Sequence, residues 1–243
     1  MNNYKIKIIH LYPNLLNLYG DKGNISALLR RLQWRGITAE LDIITGEEEI
    51  DFSSADIVFL GGGTEREVKL VLEKLMPRKE ELKAFTESGK TVLAVCEGFE
   101  MLGKYFYMNE NKLSGLDVLN ICSEQAQSNK RILGDAVIES DGGVNIVGFE
   151  NHSGRMNIGD YKALGKVIKG EGNDGKSGYE GLRYKNVFAT YLHGPLLPKN
   201  PKLCDIILDV TLKNKYSDFC KLEDLDDTIE NMANNYIVKR LGV

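Results

Sequence analysis

Cys96 ends a short apolar run, Thr91-Val92-Leu93-Ala94-Val95, and is followed at once by Glu97-Gly98-Phe99-Glu100-Met101-Leu102-Gly103. A β-type run, a reactive side chain and a Gly-containing amphipathic stretch predict strand, tight turn and helix, the arrangement of a nucleophile elbow. An elbow lifts its side chain above the sheet edge and turns helix N–H groups toward it. Such a setting favours a thiolate and stabilises an oxyanion. The chemistry it suits is attack of sulfur on a carbonyl.

That chemistry also needs a base and donors for the tetrahedral oxyanion. The chain has three histidines. His193 follows Phe188-Ala189-Thr190-Tyr191-Leu192 and precedes Gly194-Pro195. A His at the C-terminal end of a strand faces the same sheet edge as the elbow. His152 lies in the polar segment Phe149-Glu150-Asn151-His152-Ser153-Gly154-Arg155, and His10 near the end of a first strand. Motif position favours His193 as the base. The donors expected are the backbone amide of Glu97 and those of the Gly61-Gly62-Gly63 turn, chiefly Gly62 and Gly63. Glycine there lets the backbone approach a substrate and adopt positive φ, although a plain strand-to-helix turn accounts for the same run.

The elements that must carry these groups read as follows. Residues 4–11, 39–44, 56–60 and 91–95 predict strands, and 25–35 a helix with Leu28, Leu29, Leu32 and Trp34 on apolar faces and Gly36 as its stop. Residues 65–88 predict a helix broken at Pro77 and capped by Gly89. This alternation indicates βαβ units and a parallel sheet. After about residue 113 the texture changes. Residues 118–122, 132–139, 144–149 and 187–192 predict short strands, 151–181 loop and hairpin, and 201–212 and 222–240 helices. Leu222, Leu225, Ile229, Met232, Tyr236 and Ile237 recur at helical spacing, which predicts that the last helix packs on the core.

With 243 residues and 42% hydrophobic content, the chain suits one domain over residues 1–243. Its net charge of −4, with interspersed signs, argues against a nucleic-acid partner. No stretch reaches the roughly 20 apolar residues of a membrane span. The start of the chain lacks a signal-peptide layout, so a cytoplasmic protein is expected. Cys96, Cys122, Cys204 and Cys220 form no C-x-x-C pair and no zinc-ligand pattern with a His. Free thiols and no metal site are expected, with packing roles for the three besides Cys96.

Taken together, the Gly61-Gly62-Gly63 turn, the Cys96-Glu97-Gly98-Phe99 elbow, the Phe149–Arg155 segment and Tyr191-Leu192-His193-Gly194-Pro195 resemble a class I glutamine amidotransferase of the cobyric acid synthase branch. Tyr19-Gly20-Asp21-Lys22-Gly23-Asn24 and Arg131-Ile132-Leu133-Gly134-Asp135 make it most similar to the GatD type, the glutaminase subunit of lipid II isoglutaminyl synthase. The fold then expected is α/β, a flavodoxin-like, doubly wound, mostly parallel sheet with an appended antiparallel β segment. The resemblance implies that Cys96 attacks the side-chain amide of L-glutamine, that His193 shuttles the proton, and that Arg131 holds the glutamine. A guanidinium suits a carboxylate through bidentate hydrogen bonds. It further implies no cofactor on this chain, with ATP on a Mur-ligase-like partner of the MurT type that amidates D-glutamate in the membrane-bound lipid II stem peptide. Cobyrinic acid amidation, a stand-alone γ-glutamyl cysteine hydrolase and a non-enzymatic binding subunit are the alternatives.

Two positions depart from the wider pattern. Pro195 stands where many class I enzymes carry a Glu that orients the catalytic His, so a third member supplied by the partner subunit is expected. Glu100 stands four residues after Cys96 in place of the usual Gln. Glu97 and Glu100 either stabilise the helix N-terminus from an exposed face or raise the pKa of Cys96. Tyr19, Asp21 and Asn24 follow the first strand and are expected to line the same sheet edge, or to form a structural turn. Gly170-Glu171-Gly172-Asn173-Asp174-Gly175-Lys176-Ser177 matches the P-loop pattern, but the glycines after it cannot continue a helix, so a hairpin loop is expected.

Overall fold

The computed structural model describes residues 4–46, 48–125 and 130–243. In chain order the first half is β1 (Lys5–Leu11), α1 (Lys22–Trp34), β2 (Thr38–Ile44), β3 (Ile57–Leu60), α2 (Glu65–Leu75), α3 (Lys79–Glu87), β4 (Thr91–Val95) and α4 (Glu97–Met101). The middle holds β5 (Tyr105–Met108), β6 (Asn111–Ser114), β7 (Cys122–Gln125), β8 (Ile132–Ser140), β9 (Val144–His152), β10 (Gly154–Asn157), β11 (Gly165–Lys169), β12 (Tyr179–Glu180) and β13 (Leu182–Tyr184). The chain closes with β14 (Val187–Thr190), α5 (Pro201–Lys215) and α6 (Thr228–Leu241).

The central sheet runs β13-β14-β4-β3-β1-β2, and every pair in it is parallel except β13–β14. Leaving out that edge strand, the order is the flavodoxin-like one, with its switch point between β1 and β3. β3 and β4 are buried at every position, as strands covered on both faces must be. A single cluster of buried apolar side chains runs from Ile6 to Leu222. Phe59, Phe99, Phe188 and Tyr191 are fully buried within it, each aromatic stabilising the fold by about 1.5–3 kcal/mol. The appended segment forms two smaller sheets, β12-β11-β8-β9, wholly antiparallel, and β10-β7-β5-β6, mostly so.

Local chemistry sets the helix limits. The Glu67 carboxylate accepts the Thr64 backbone N–H at 2.8 Å and so starts α2. Pro77 turns the chain through a 3-10 turn, Met76–Arg78, between α2 and α3. Gly89, at φ +81°, then releases the chain toward β4. Arg31 ties α1 to the C-terminal region, with Nε donating to Asp205 Oδ1 and Nη1 to Asp227 Oδ1, both at 2.6 Å.

Several expectations are corrected. α1 begins at Lys22, three residues early, and Trp34 lies 57% exposed at its end rather than on a core face. Residues 118–121 are not a strand; their backbone folds over the end of α4, with Val118 and Leu119 N–H both donating to Leu102 O. α6 begins at Thr228 and buries none of its side chains; Ile229, Met232 and Tyr236 are 78%, 67% and 66% exposed. It is held by polar contacts instead, Asn234 Nδ2 to Lys199 O and Asn200 Oδ1, and Arg240 to Asp135. Cys204 packs in the core as expected, but Cys220 is exposed. No helix among the described residues is long and apolar enough to cross a membrane.

Candidate active site

β4 delivers Cys96 to the C-terminal edge of the central sheet. The residue takes φ 55°, ψ −115°, a backbone conformation that L side chains adopt only under constraint. Two contacts supply that constraint. Cys96 N–H donates to Thr190 O at 2.8 Å, and Cys96 O accepts Phe99 N–H at 2.9 Å. Gly98 lets α4 lie on the end of β3, because a Cβ there would come within 2.5 Å of Leu60 O. α4 is not amphipathic: all five of its residues are buried.

β14 runs beside β4 with Thr190 paired to Val95, which places His193 beyond the same edge as Cys96. His193 is fully buried, and neither ring nitrogen has a hydrogen-bond partner among the described residues. Burial first, then the Arg131 charge, pushes its pKa down to about 4. Its backbone forms a bridge to Phe149 on β9, through His193 N–H to Phe149 O at 2.9 Å. The Tyr19 ring packs edge-on against the imidazole, with centroids 4.6 Å apart. Tyr19 Oη accepts a hydrogen bond from Asn151 Nδ2. Arg131 grips the other side of Asn151, with Nε donating to Oδ1 and Nη2 to the carbonyl, both at 2.9 Å. The structure therefore joins Arg131, Asn151, Tyr19 and His193 in one contact chain. A surface cavity of about 1640 Å³ reaches Arg131 and Arg155, but its lining includes neither Cys96 nor His193.

The other two histidines are placed as structural residues. His152 stacks on Tyr191, with centroids 3.6 Å apart and planes within 5°, and its Nδ1 faces Gly154 O at 3.0 Å. That carbonyl requires the proton on Nδ1. His10 packs edge-on against Phe59 on β3.

The glycine turn departs from expectation in two ways. None of Gly61, Gly62 and Gly63 has positive φ. They are required by space: a Cβ on Gly61 would meet Leu16 O at 2.5 Å, one on Gly62 would meet Glu97 Oε2 at 2.6 Å, and one on Gly63 would meet Leu15 O at 3.0 Å. Moreover, both expected donor amides already serve carboxylates. Gly62 N–H donates to Asp21 Oδ2 at 2.8 Å, and Gly63 N–H to Glu97 Oε2 at 3.2 Å. Asp21 is fully buried, its Oδ1 has no partner among the described residues, and burial pushes its pKa up to about 6. Asn24 Oδ1 accepts Leu197 N–H at 2.8 Å, so Asn24 braces the segment after His193.

Glu97 and Glu100 are buried, not exposed on the face of a helix. Glu100 Oε1 accepts Tyr191 Oη at 2.8 Å and Ser123 Oγ at 3.0 Å. Burial, then the Glu97 charge, pushes Glu100 up to about 8. Burial also raises Glu97, against hydrogen bonds from the Cys96 thiol, its own amide and Gly63. Cys96 itself is pushed well up, by burial first and then by the Glu97 and Glu100 charges. In the resting site the thiol and the imidazole are thus both held neutral, not as the thiolate an elbow alone would favour.

Sequence reasoning missed Glu180. Its buried carboxylate accepts Thr190 Oγ1 at 3.0 Å and Tyr191 N–H at 2.7 Å, and Thr190 Oγ1 in turn accepts Leu192 N–H. This fixes the three residues leading to His193. Only the closeness of an acid to a glycine, Glu180-Gly181, hinted at a turn there. The P-loop-like segment opens no helix; it turns between β11 and β12, and its Glu171 and Gly172 amides face the Glu150 carboxylate.

A family model, CobB/CobQ-like glutamine amidotransferase domain, matches residues 7–201. The chain is 39% identical to the lipid II isoglutaminyl synthase (glutamine-hydrolyzing) subunit GatD of Staphylococcus aureus, over 98% of this chain and 96% of that one. It is 36% identical to the same subunit of Streptococcus pneumoniae, over 96% and 91%. A probable cobyric acid synthase of Methanothermobacter thermautotrophicus is 33% identical, over 42% of this chain and 23% of that one. In fold, a crystal structure of a glutamine amidotransferase covers 84% of this chain at a TM-score of 0.57 and 15% identity. The strand–turn–helix at Cys96, the histidine beyond the adjacent strand and these matches agree: the chain is an enzyme of the CobB/CobQ-like glutamine amidotransferase family.

Proposed function

We propose that this chain is the glutamine-hydrolysing subunit of a two-protein amidotransferase that makes the isoglutaminyl form of lipid II. The observation that carries the reading is the end-to-end match to two GatD subunits, set against partial matches to much longer cobyric acid synthases. Residues 1–243 act as one catalytic domain in the cytoplasm and need no cofactor of their own. Neutral His193 takes the Cys96 proton as Sγ attacks the side-chain amide carbon of L-glutamine. The tetrahedral oxyanion is held by backbone amides at Glu97 and the glycine turn. The C–N bond breaks, His193 returns the proton to the departing nitrogen, and ammonia leaves a γ-glutamyl thioester. Water, deprotonated by His193, then adds to the thioester and frees glutamate and the thiol. Arg131 holds the glutamine, and an ATP-dependent, Mur-ligase-like partner of the MurT type consumes the ammonia on D-glutamate.

The test is glutamate release from L-glutamine by the purified chain, with and without the co-expressed partner and with Cys96→Ala as control. Cys96-dependent release that the partner enhances is the expected result. No release with the partner present would reject the reading.

A further inference from the structure

We propose that the Glu97 carboxylate plugs the oxyanion hole of the resting enzyme, so that glutamine reacts only after displacing it. Three observations place the plug. Glu97 Oε2 accepts the Gly63 N–H at 3.2 Å. A Cβ on Gly62 would lie 2.6 Å from that same oxygen and 3.2 Å from Cys96 Cβ, so Oε2 fills the space between the glycine turn and the nucleophile. Gly62 N–H is committed to Asp21 and offers no second site. Cys96 is 1% exposed beneath this arrangement.

A carboxylate oxygen resembles the oxyanion that the hole must bind: both are small, anionic acceptors of backbone N–H. The plug therefore competes with the substrate's carbonyl oxygen for one site. It also places a negative charge where the transition state develops one. Both effects hinder the productive binding of glutamine until Glu97 swings out, and the groups acting on Glu97 include the Arg131 cation. The inference rests on the glutaminase reading for the identity of the displacing molecule, but not for the existence of the plug.

Two readouts on the full chain separate these. The first is the alkylation rate of Cys96 by iodoacetamide, which needs no substrate. The second is KM and kcat for glutamine with the partner present. Glu97→Ala and Glu97→Ser keep the backbone amide and remove the plug, and either serves if the other fails to fold. Glu97→Gln removes the charge but keeps an oxygen for Gly63. The truncations should alkylate roughly tenfold faster or more, and raise kcat/KM for glutamine by a similar factor, chiefly through a lower KM. Glu97→Gln should gain far less. Folded truncations that alkylate no faster than the parent would overturn the plug, as would a Gln variant that gains as much as Ala. Faster alkylation without glutamine turnover by any variant would uphold the plug and reject the glutaminase.

Discussion

Replacing Glu100 by Gln removes a buried titration while keeping an acceptor for Tyr191 and Ser123. Glu100 is 4% exposed, and its carboxyl is pushed up to about 8 from an ordinary 4.5, by burial first. Between those values the folded chain holds a proton that the unfolded chain releases. The stability this group contributes is full below about pH 4.5 and is lost as the pH rises through about 8. The slope is about 1.4 kcal/mol per pH unit, so from about pH 5.5 to about pH 7.5 Glu100 alone costs the fold about 3 kcal/mol. Glu180, also buried and pushed up to about 8, imposes a parallel loss that the variant retains. Urea midpoints of parent and Glu100→Gln across that range, with m held common, measure the difference. It should grow by about 3 kcal/mol in favour of Gln, roughly halving the pH slope contributed by these two acids. A difference that stays constant with pH would refute burial of a protonated Glu100. The same titration reaches Cys96. Glu100 repels a Cys96 thiolate only once ionised, so the variant should speed Cys96 alkylation more at about pH 9 than at about pH 7.

Tyr191→Phe removes one of the two donors to Glu100 and should cost about 1–3 kcal/mol, less in the Glu100→Gln background; a thermal-melting double-mutant cycle that sums to zero would contradict the pairing. Arg31→Met leaves Asp227 without its cation, while Asp205 keeps Arg35 at 2.7 Å, and should lower the urea midpoint by the equivalent of about 3 kcal/mol. Gly98→Ala sets a methyl against Leu60 O and Gly61 O, backbone atoms that cannot yield, and should lower the Tm and lift α4 from β3. An unchanged Tm would refute that packing.

The alternating first half was legible because each element carries its own signal. β3 and β4 are unbroken apolar runs, and Pro77 marks the break between α2 and α3. β5, β6, β10 and β11 were not legible, since short strands with half-exposed, polar positions such as Asn111–Ser114 lack a period to read. Cys96 and His193 could be placed on one edge from their positions after apolar runs. The environment of Cys96 could not, because distant segments cover α4, Ser123 and Tyr191 at Glu100 and the glycine turn at Glu97, and that cover turns two seemingly solvated glutamates into buried ones. In α6 the period of Ile229, Met232 and Tyr236 is real, but amphipathicity states only that a face wants cover, not that this chain provides it.

The strand order carries a consequence for synthesis. β4 lies between β3 and β14, and all of the appended β segment separates β4 from β14 in the chain. At about 5–20 residues per second a ribosome takes roughly 5–20 s to pass from Cys96 to His193. Throughout that interval Thr91–Val95 is an apolar edge strand with open backbone groups, the form most prone to pair with another chain. Cys96 also lacks the Thr190 carbonyl that anchors it. The candidate site and the aggregation hazard are therefore resolved by one late event, the docking of four residues, Val187–Thr190.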